Sequence, residues 1–224
     1  MKSILRHLFS ILFFLTALPN LYAQESAPFY ADIQEFKKQD NIHFPSANAI
    51  LFIGSSSFTK WKDVQDYFPG YAIINRGFGG STLPDVIRFA DDIIFPYNPK
   101  QIVIYCGEND LAASDTVTSN MVFSRFTTLF DMIRNHMPDV QIDFVSLKPS
   151  PSRARLFKKM EAANTMIKDF LKNKKNAEFI NVYYAMLSAD GTPMKDIFLE
   201  DNLHMNAKGY AIWKKIFLPY LIKK

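Results

Sequence analysis

The segment ILFIGSSSFTKW (residues 50–61) begins as an apolar strand and runs into three consecutive serines, Ser55, Ser56 and Ser57. An unbroken apolar run that ends in glycine is typical of a strand buried on both faces, as in a parallel sheet. A serine at a strand-to-helix turn lies where backbone N–H groups favour developing negative charge. The segment therefore predicts a parallel α/β architecture. It leaves two roles open for the serines, a nucleophile or an ordinary helix N-cap.

Strand and helix patterns alternate along the rest of the chain. With the first strand at 49–54, further strands are predicted at 71–74, 101–106, 141–147 and 177–182, and helices at 84–94, 117–137, 153–171 and 207–222. This alternation predicts a flavodoxin-like three-layer α/β/α sandwich with a mainly parallel five-stranded sheet. We expect one α/β domain over residues 46–224. A lead-in segment at 24–45, with one helix over 29–39, precedes it.

The N-terminus has the layout of a secretory signal peptide. Lys2 and Arg6 precede an apolar run at 8–18, and the small residue Ala23 follows. We expect cleavage after Ala23 and export to the periplasm or medium, without stable membrane insertion afterwards; an uncleaved membrane anchor is the alternative. Loss of residues 1–23 lowers the formal net charge from +4 to +2. With so small a charge and no basic stripe, we expect no nucleic acid partner.

The single cysteine and the two tryptophans are predicted to be part of the core. Cys106 is the single cysteine, so no internal disulfide can form, and its place at the end of an apolar run predicts a buried thiol. Trp61 and Trp213 are predicted to pack in or near the core.

Three cationic side chains each have two open interpretations. Arg76 lines a pocket or forms a salt bridge at the sheet edge, whereas Lys148 and Arg153 lie at a site rim or in a solvated loop.

Polar and glycine-rich motifs follow the predicted strands. In open α/β sheets, ligands bind outside the carboxyl ends of the strands. The motifs there are GSSS, NRGFGGST, GENDL, KPSPSR and, later in the chain, EDNLHMN. In the last of them Asp201 is three residues before His204, a spacing that lets a carboxylate orient an imidazole. His43 and His136 are expected in a loop and at a helix C-terminus.

Two of these motifs carry groups that suit an oxyanion hole. The glycines at 77–80 either expose backbone N–H groups to a ligand oxygen or form a tight turn. The Asn109 side-chain amide is a donor of the kind that stabilises a tetrahedral intermediate. The acidic residues of the same motifs match no metal-ligand spacing, so no metal and no cofactor are predicted.

The four motifs, taken in this order, resemble those of the SGNH hydrolases, also called the GDSL lipase and esterase family. The resemblance covers about residues 46–222 and implies a carboxylic ester hydrolase. It implies a nucleophile, a glycine and an asparagine of the oxyanion hole, an acid and a base: Ser56, Gly80, Asn109, Asp201 and His204. The Ser56 backbone N–H would complete the hole, and Gly80 is favoured over Gly79. Ser55 departs from the family pattern, because aspartate usually stands there.

The resemblance leaves the substrate open. We expect a small-molecule or saccharide ester, with O-acetyl groups on a carbohydrate favoured and a lysophospholipase or thioesterase of longer acyl chains as the alternative. A non-catalytic ligand-binding module on the same scaffold is a third reading, and a flavodoxin-like cofactor binder a fourth. The segment GSSSFTK lacks the Gly-Lys-Ser/Thr ending of a phosphate-binding loop, which argues against the fourth. The sequence makes no prediction of the oligomeric state.

Overall fold

The protein is described here from a computed structural model, which covers residues 28–223. Five parallel strands form one sheet in the order β2-β1-β3-β4-β5. Their bounds are β1 Ile50–Gly54, β2 Ile73–Gly77, β3 Gln101–Tyr105, β4 Gln141–Val145 and β5 Ala177–Ile180. The predicted fold class is confirmed. The predicted signal peptide lies outside the described residues.

Strand β2 begins and ends later than the predicted 71–74. It pairs with β1 in the register Ile50↔Ile73 to Gly54↔Gly77, so the polar residues Asn75 and Arg76 are part of it. The Asn75 amide donates to the Phe58 carbonyl at 2.8 Å. Arg76 forms an ion pair with Asp40 and donates to the Tyr97 hydroxyl at 2.7 Å. Of the two interpretations of Arg76, the salt bridge at the sheet edge is therefore the correct one.

Helices cover both faces of the sheet. They are α1 Tyr30–Ile42, α2 Ser56–Thr59, α3 Val64–Tyr67, α4 Leu83–Arg88, α5 Ala90–Ile93, α6 Glu108–Ala113, α7 Ser119–His136, α8 Phe157–Leu171 and α9 Ala207–Phe217. Short 3₁₀ turns lie at Phe95–Tyr97, Pro151–Leu156, Tyr184–Met186 and Lys195–Ile197. The long helices α7 and α8 match the predictions, with a 3₁₀ turn in place of the first residues predicted for α8.

Two predicted helices differ from the structure for local reasons. The pattern at 84–94 is split into α4 and α5 because the backbone at Phe89 leaves the helical region (φ −101°, ψ 13°). Its ring packs edge-on against Phe78 instead. Helix α9 ends at Phe217 rather than at 222. Leu218 still has helical dihedral angles, but Pro219 has no backbone N–H with which to continue the helical hydrogen bonds.

The core has two parts, one on each face of the sheet. Within β1, Leu51 and Ile53 face the layer that contains α1, α4, α7 and α8, whereas Ile50 and Phe52 face α2, α3 and α9. All four side chains are buried, which explains the unbroken apolar run. The second layer is aromatic: Trp61 and Trp213 are both fully buried there, as predicted. Cys106 is a buried free thiol.

Helix α1 belongs to this core. Ile33 is 1% exposed and packs in the first layer. Asp40, near the other end of the helix, accepts hydrogen bonds from Arg76 and Tyr97. Among residues 28–223, no helix has the length and apolar character that a bilayer crossing requires.

Candidate active site

A tight turn after β1 presents Ser56 at the carboxyl edge of the sheet. Gly54 has φ +127°, and a Cβ built on it would lie 2.0 Å from the Tyr105 carbonyl oxygen of the neighbouring strand. Only glycine fits this approach. The Ser55 N–H then donates to the same oxygen at 3.0 Å. Ser56 becomes the first residue of α2, where a backbone N–H has no partner within the helix.

Ser56, His204 and Asp201 form a continuous hydrogen-bonded chain. The distance from His204 Nε2 to Ser56 Oγ is 2.9 Å, and from His204 Nδ1 to Asp201 Oδ2 it is 2.6 Å. A carboxylate facing Nδ1 holds the proton there, so that Nε2 is free to accept the serine proton. The structure thus brings together three side chains that the sequence separates by up to 148 positions.

The turn around Asp201 explains why this carboxylate stays ionised. Its Oδ1 accepts the backbone N–H groups of Leu203 and His204, each at 2.9 Å. Burial by itself raises the pKa of Asp201, but the hydrogen bonds from the His204 side chain and from these two N–H groups outweigh it. The pKa of Asp201 is lowered to about 2. The Asp201 side chain is 47% exposed and that of His204 17%.

The turn is fixed on both sides by its own backbone and by the next helix. The Leu199 N–H donates to the His204 carbonyl at 2.7 Å, and Phe198 pairs with Met205 in an isolated antiparallel bridge. Asn206 caps α9 through Lys208 and Gly209, and its amide donates to the carbonyls of Asp196 and Phe198. His204 is therefore held between a bridge and a helix N-cap.

The glycine turn after β2 faces Ser56. A Cβ built on Gly79 would lie 3.8 Å from Ser56 Cβ, whereas one on Gly80 would point to the Phe29 ring at 3.7 Å. Gly80 has φ +90°, in the left-handed region. Neither glycine N–H donates a hydrogen bond to another of the described residues. Both amides are thus free to bind an oxygen, and the geometry supports either glycine as a donor.

Asn109 contacts the turn that follows β1. Its amide nitrogen donates to Ser55 Oγ at 2.7 Å and to the Ser81 carbonyl at 3.1 Å. Ser55 therefore contacts the predicted oxyanion donor directly, a role that its sequence position does not reveal. Gly107 starts this segment with φ +119°, and a Cβ there would lie 3.0 Å from Val122.

The acidic neighbours of Asn109 have structural partners. Asp110 accepts the Leu83 N–H at 3.0 Å and pairs with Arg125 at 2.7 Å, which joins the N-terminus of α4 to α6 and α7. Burial raises the pKa of Asp110. Glu108 pairs with Lys148 at 2.9 Å. In the part of the chain that the structure describes, no three His, Cys, Asp or Glu side chains are grouped to hold a metal ion.

The outcomes for the remaining cationic and histidine residues differ. The solvated-loop interpretation of Lys148 is wrong, because its side chain is 2% exposed and pairs with Glu108, a residue distant in sequence. Arg153 keeps a partly exposed side chain. His136 ends α7 as predicted and stacks on Phe95 at 4.1 Å. His43 is exposed after α1.

A hydrogen-bonded Ser–His–Asp chain is the arrangement used by serine hydrolases of several unrelated folds, and here it lies at the carboxyl edge of a parallel sheet. The model of the GDSL-like lipase/acylhydrolase family matches residues 53–212. The chain belongs to this family and is a carboxylic ester hydrolase. The resemblance stated from the motifs is confirmed, and the binding-module and cofactor-binder interpretations are wrong.

Solved structures of similar fold come from several bacteria. One from Streptococcus pneumonia, provisionally described as a platelet activating factor, has a TM-score of 0.75 and 21% identity, over 90% of this chain and 94% of that one. A GDSL-like lipase from Bacteroides thetaiotaomicron has a TM-score of 0.72 and 19% identity, over 85% and 97%. A catalytic mutant of an acetylxylan esterase from Geobacillus stearothermophilus has a TM-score of 0.63 and 16% identity, over 78% and 94%. These similarities show the fold. A search of curated proteins finds no significant match.

Proposed function

We propose that the protein is a serine esterase that removes O-acetyl groups from a carbohydrate through an acyl-enzyme on Ser56. The observation that carries the proposal is the 2.9 Å contact between His204 Nε2 and Ser56 Oγ, in line with Asp201. Neither Ser55 nor Ser57 has such a contact with an imidazole among residues 28–223. Ser55 binds Asn109, and the buried Ser57 hydroxyl has no hydrogen-bond partner there.

In the proposed acylation step, Ser56 is the nucleophile and His204 acts first as a base and then as an acid. His204 Nε2 takes the Ser56 proton as Ser56 Oγ attacks the ester carbonyl carbon. The oxyanion accepts hydrogen bonds from the Ser56 and Gly80 N–H groups and the Asn109 amide. When the tetrahedral intermediate collapses, the bond to the alcohol oxygen breaks and His204 gives that oxygen the proton. Asp201 orients the imidazole and stabilises its cation throughout.

Deacylation repeats the sequence with water. His204 removes a proton from water as the water oxygen attacks the acyl carbon, and it returns the proton to Ser56 Oγ as acetate leaves. Because the pKa of Asp201 is about 2, its carboxylate is ionised at every pH at which the imidazole acts as a base. No step of the proposed mechanism calls for a metal or cofactor.

The preference for acetyl on a saccharide rests on three observations. Neighbouring structures include a protein named as an acetylxylan esterase and another named as a carbohydrate esterase from Talaromyces cellulolyticus. The predicted signal peptide, if cleaved after Ala23, exports the enzyme to a compartment where polysaccharides occur. The Phe29 ring beside Gly80 also narrows the space near the proposed oxyanion hole.

A longer acyl chain is the second candidate. Leu199, whose N–H donates to the His204 carbonyl, is 46% exposed, so one apolar side chain lies close to the proposed base. Contact with this side chain would favour an apolar acyl chain over acetyl. A series of p-nitrophenyl esters from acetate to octanoate separates the two candidates by kcat/KM.

The test of the nucleophile compares wild type with Ser56→Ala, and with Ser57→Ala as the matched control, on p-nitrophenyl acetate. Loss of a triad serine lowers turnover on the order of a million-fold, to background. Ser57→Ala is expected to stay within about threefold of wild type. If Ser56→Ala hydrolyses the ester as wild type does, the proposed mechanism is wrong.

A further inference from the structure

A buried cluster of charged side chains lies next to the candidate active site. The Tyr105 hydroxyl and Lys148 Nζ both reach Glu108 Oε2, at 2.5 Å and 2.9 Å. Lys148 and Glu108 are 1% and 4% exposed. At this distance and depth, the Lys148 ammonium compensates the Glu108 carboxylate almost completely.

Arg153 adds a second positive charge to the same cluster. Its Nε is 3.6 Å from Glu108 Oε1, and neither atom has a hydrogen-bond partner among residues 28–223. No other carboxylate in those residues lies within ion-pair distance of the guanidinium. The cluster therefore carries one positive charge in excess. The Nε atom is buried within ion-pair distance of Glu108, while the side chain as a whole keeps 26% exposure.

The segment that contains Arg153 contacts two of the sequence motifs of the candidate site, those of Asn109 and Asp201. Its ion-pair partner Glu108 directly precedes Asn109, the proposed oxyanion donor. On the other side, the Ser152 N–H donates to the Asn202 carbonyl at 3.1 Å, one residue after Asp201. The turn Pro151–Leu156, which contains Arg153, thus links the segment that carries Asn109 to the segment that carries Asp201 and His204.

We propose that Arg153 binds a carboxylate on the alcohol part of the ester, so that the preferred substrate is an O-acetylated acidic saccharide. This inference rests on the proposed esterase function and specifies its substrate class. The two terminal nitrogens of a guanidinium present N–H groups as a fork that matches a carboxylate. Exposed Glu200, beside Asp201, carries an opposing charge that acts through solvent and is weaker than a direct bidentate contact.

Matched aryl acetates test the proposal without a saccharide. The probes are 3- and 4-acetoxybenzoate, which carry a carboxylate on the leaving group, and the corresponding neutral acetoxybenzamides. We expect wild type to favour the better carboxylate over its amide by about tenfold in kcat/KM, the range of a partly exposed charged hydrogen bond. The preference should shrink as salt is added, because screening weakens the ion pair.

Arg155 provides the control for net charge. It lies in the same turn, its side chain is 58% exposed and it pairs with Asp115. We expect Arg153→Gln to lower the carboxylate-to-amide ratio to about one, and Arg153→Lys to give an intermediate ratio. Arg155→Gln removes the same charge and should keep the wild-type ratio. Both kcat/KM values of a ratio are measured on the same enzyme sample, so a lower fraction of folded enzyme in a variant does not change the ratio.

The outcomes separate this inference from the proposed function. A wild type that hydrolyses both probes without preferring the carboxylate overturns the role of Arg153 and leaves the esterase intact. An Arg153→Gln enzyme that keeps the preference does the same. A wild type that hydrolyses none of the probes, nor p-nitrophenyl acetate, overturns both. With acetylated oligosaccharides, the expected result is faster acetate release from uronic acid units than from neutral xylose units.

Discussion

Three adjacent serines have three different environments in this protein. The glycine-dependent turn directs Ser56 to His204, whereas Ser55 Oγ turns to the Asn109 amide and the Ser57 hydroxyl is buried beneath the site. Chemical identity therefore does not decide which serine contacts the imidazole; the backbone direction at each position does. The same turn places Ser55, where the family pattern has aspartate, next to Asn109, the proposed oxyanion donor.

Ser55→Ala tests whether this contact positions Asn109. Removal of the hydroxyl leaves the Ser81 carbonyl as the remaining acceptor for the amide, which can then rotate. We expect kcat to fall by about three- to tenfold with KM nearly unchanged, the range of one hydrogen bond. The measurement is steady-state hydrolysis of p-nitrophenyl acetate, with Ser57→Ala as control. A rise in kcat would show instead that Ser55 competes with the oxyanion for the amide.

Helix α1 contributes an aromatic ring to the surroundings of the site. Phe29, at its N-cap, has φ +69°, which is uncommon for an aromatic residue. Its ring packs edge-on against Phe78 at 5.2 Å and lies next to Gly80. The segment assigned from sequence as a lead-in therefore reaches the proposed oxyanion hole.

Phe29→Ala is expected to widen the acyl preference. The vacated space adjoins Gly80, so the kcat/KM ratio of p-nitrophenyl hexanoate to acetate should rise several-fold. Phe36→Ala is the matched control, because Phe36 is half-buried on the same helix but packs against Arg76. An unchanged ratio in Phe29→Ala would mean that the ring supports α1 and does not border the acyl group.

The features that the sequence predicts correctly are those that depend on local patterns. The apolar runs of the strands and the 3.6-residue period of α7 and α8 are visible without a partner, and so are the short motifs of the site. The backbone break at Phe89, the pairing of Lys148 with Glu108 and the contact of Ser55 with Asn109 depend on residues distant in sequence. A basic residue after a strand predicts a solvated loop until its buried partner is known.

A buried pair of polar side chains, Gln101 and Asp143, lies in the sheet away from the candidate active site. The site lies at the carboxyl edge, whereas Gln101 is the first residue of β3 and Asp143 lies in the middle of β4. Gln101 donates to Asp143 at 2.5 Å and to the Tyr220 carbonyl at 2.9 Å, and it accepts the Ile222 N–H. This side chain thus ties the segment after α9 to the middle of the sheet, far from Ser56.

Asp143 makes the stability of the protein depend on pH. The side chain is fully buried, and this burial raises its pKa to about 6, against the hydrogen bonds from Gln141 and Gln101 that lower it. The unfolded carboxyl titrates near 4, so between about pH 4 and 6 the folded state binds more protons. The free energy of unfolding must therefore fall as the pH rises through this window, by about 2–3 kcal/mol from this group.

Asp143→Asn removes that dependence, because the amide does not ionise. In urea unfolding between pH 4 and 8, the variant should gain on wild type by about 2–3 kcal/mol as the pH rises from 4 to 7, whatever its stability at pH 4. Asp139→Asn is the control: this carboxyl is 87% exposed in the connection between α7 and β4. If wild type and Asp143→Asn give parallel curves, the pKa of Asp143 is the same in the folded and unfolded protein, and the hydrogen bonds from Gln141 and Gln101 offset the effect of burial.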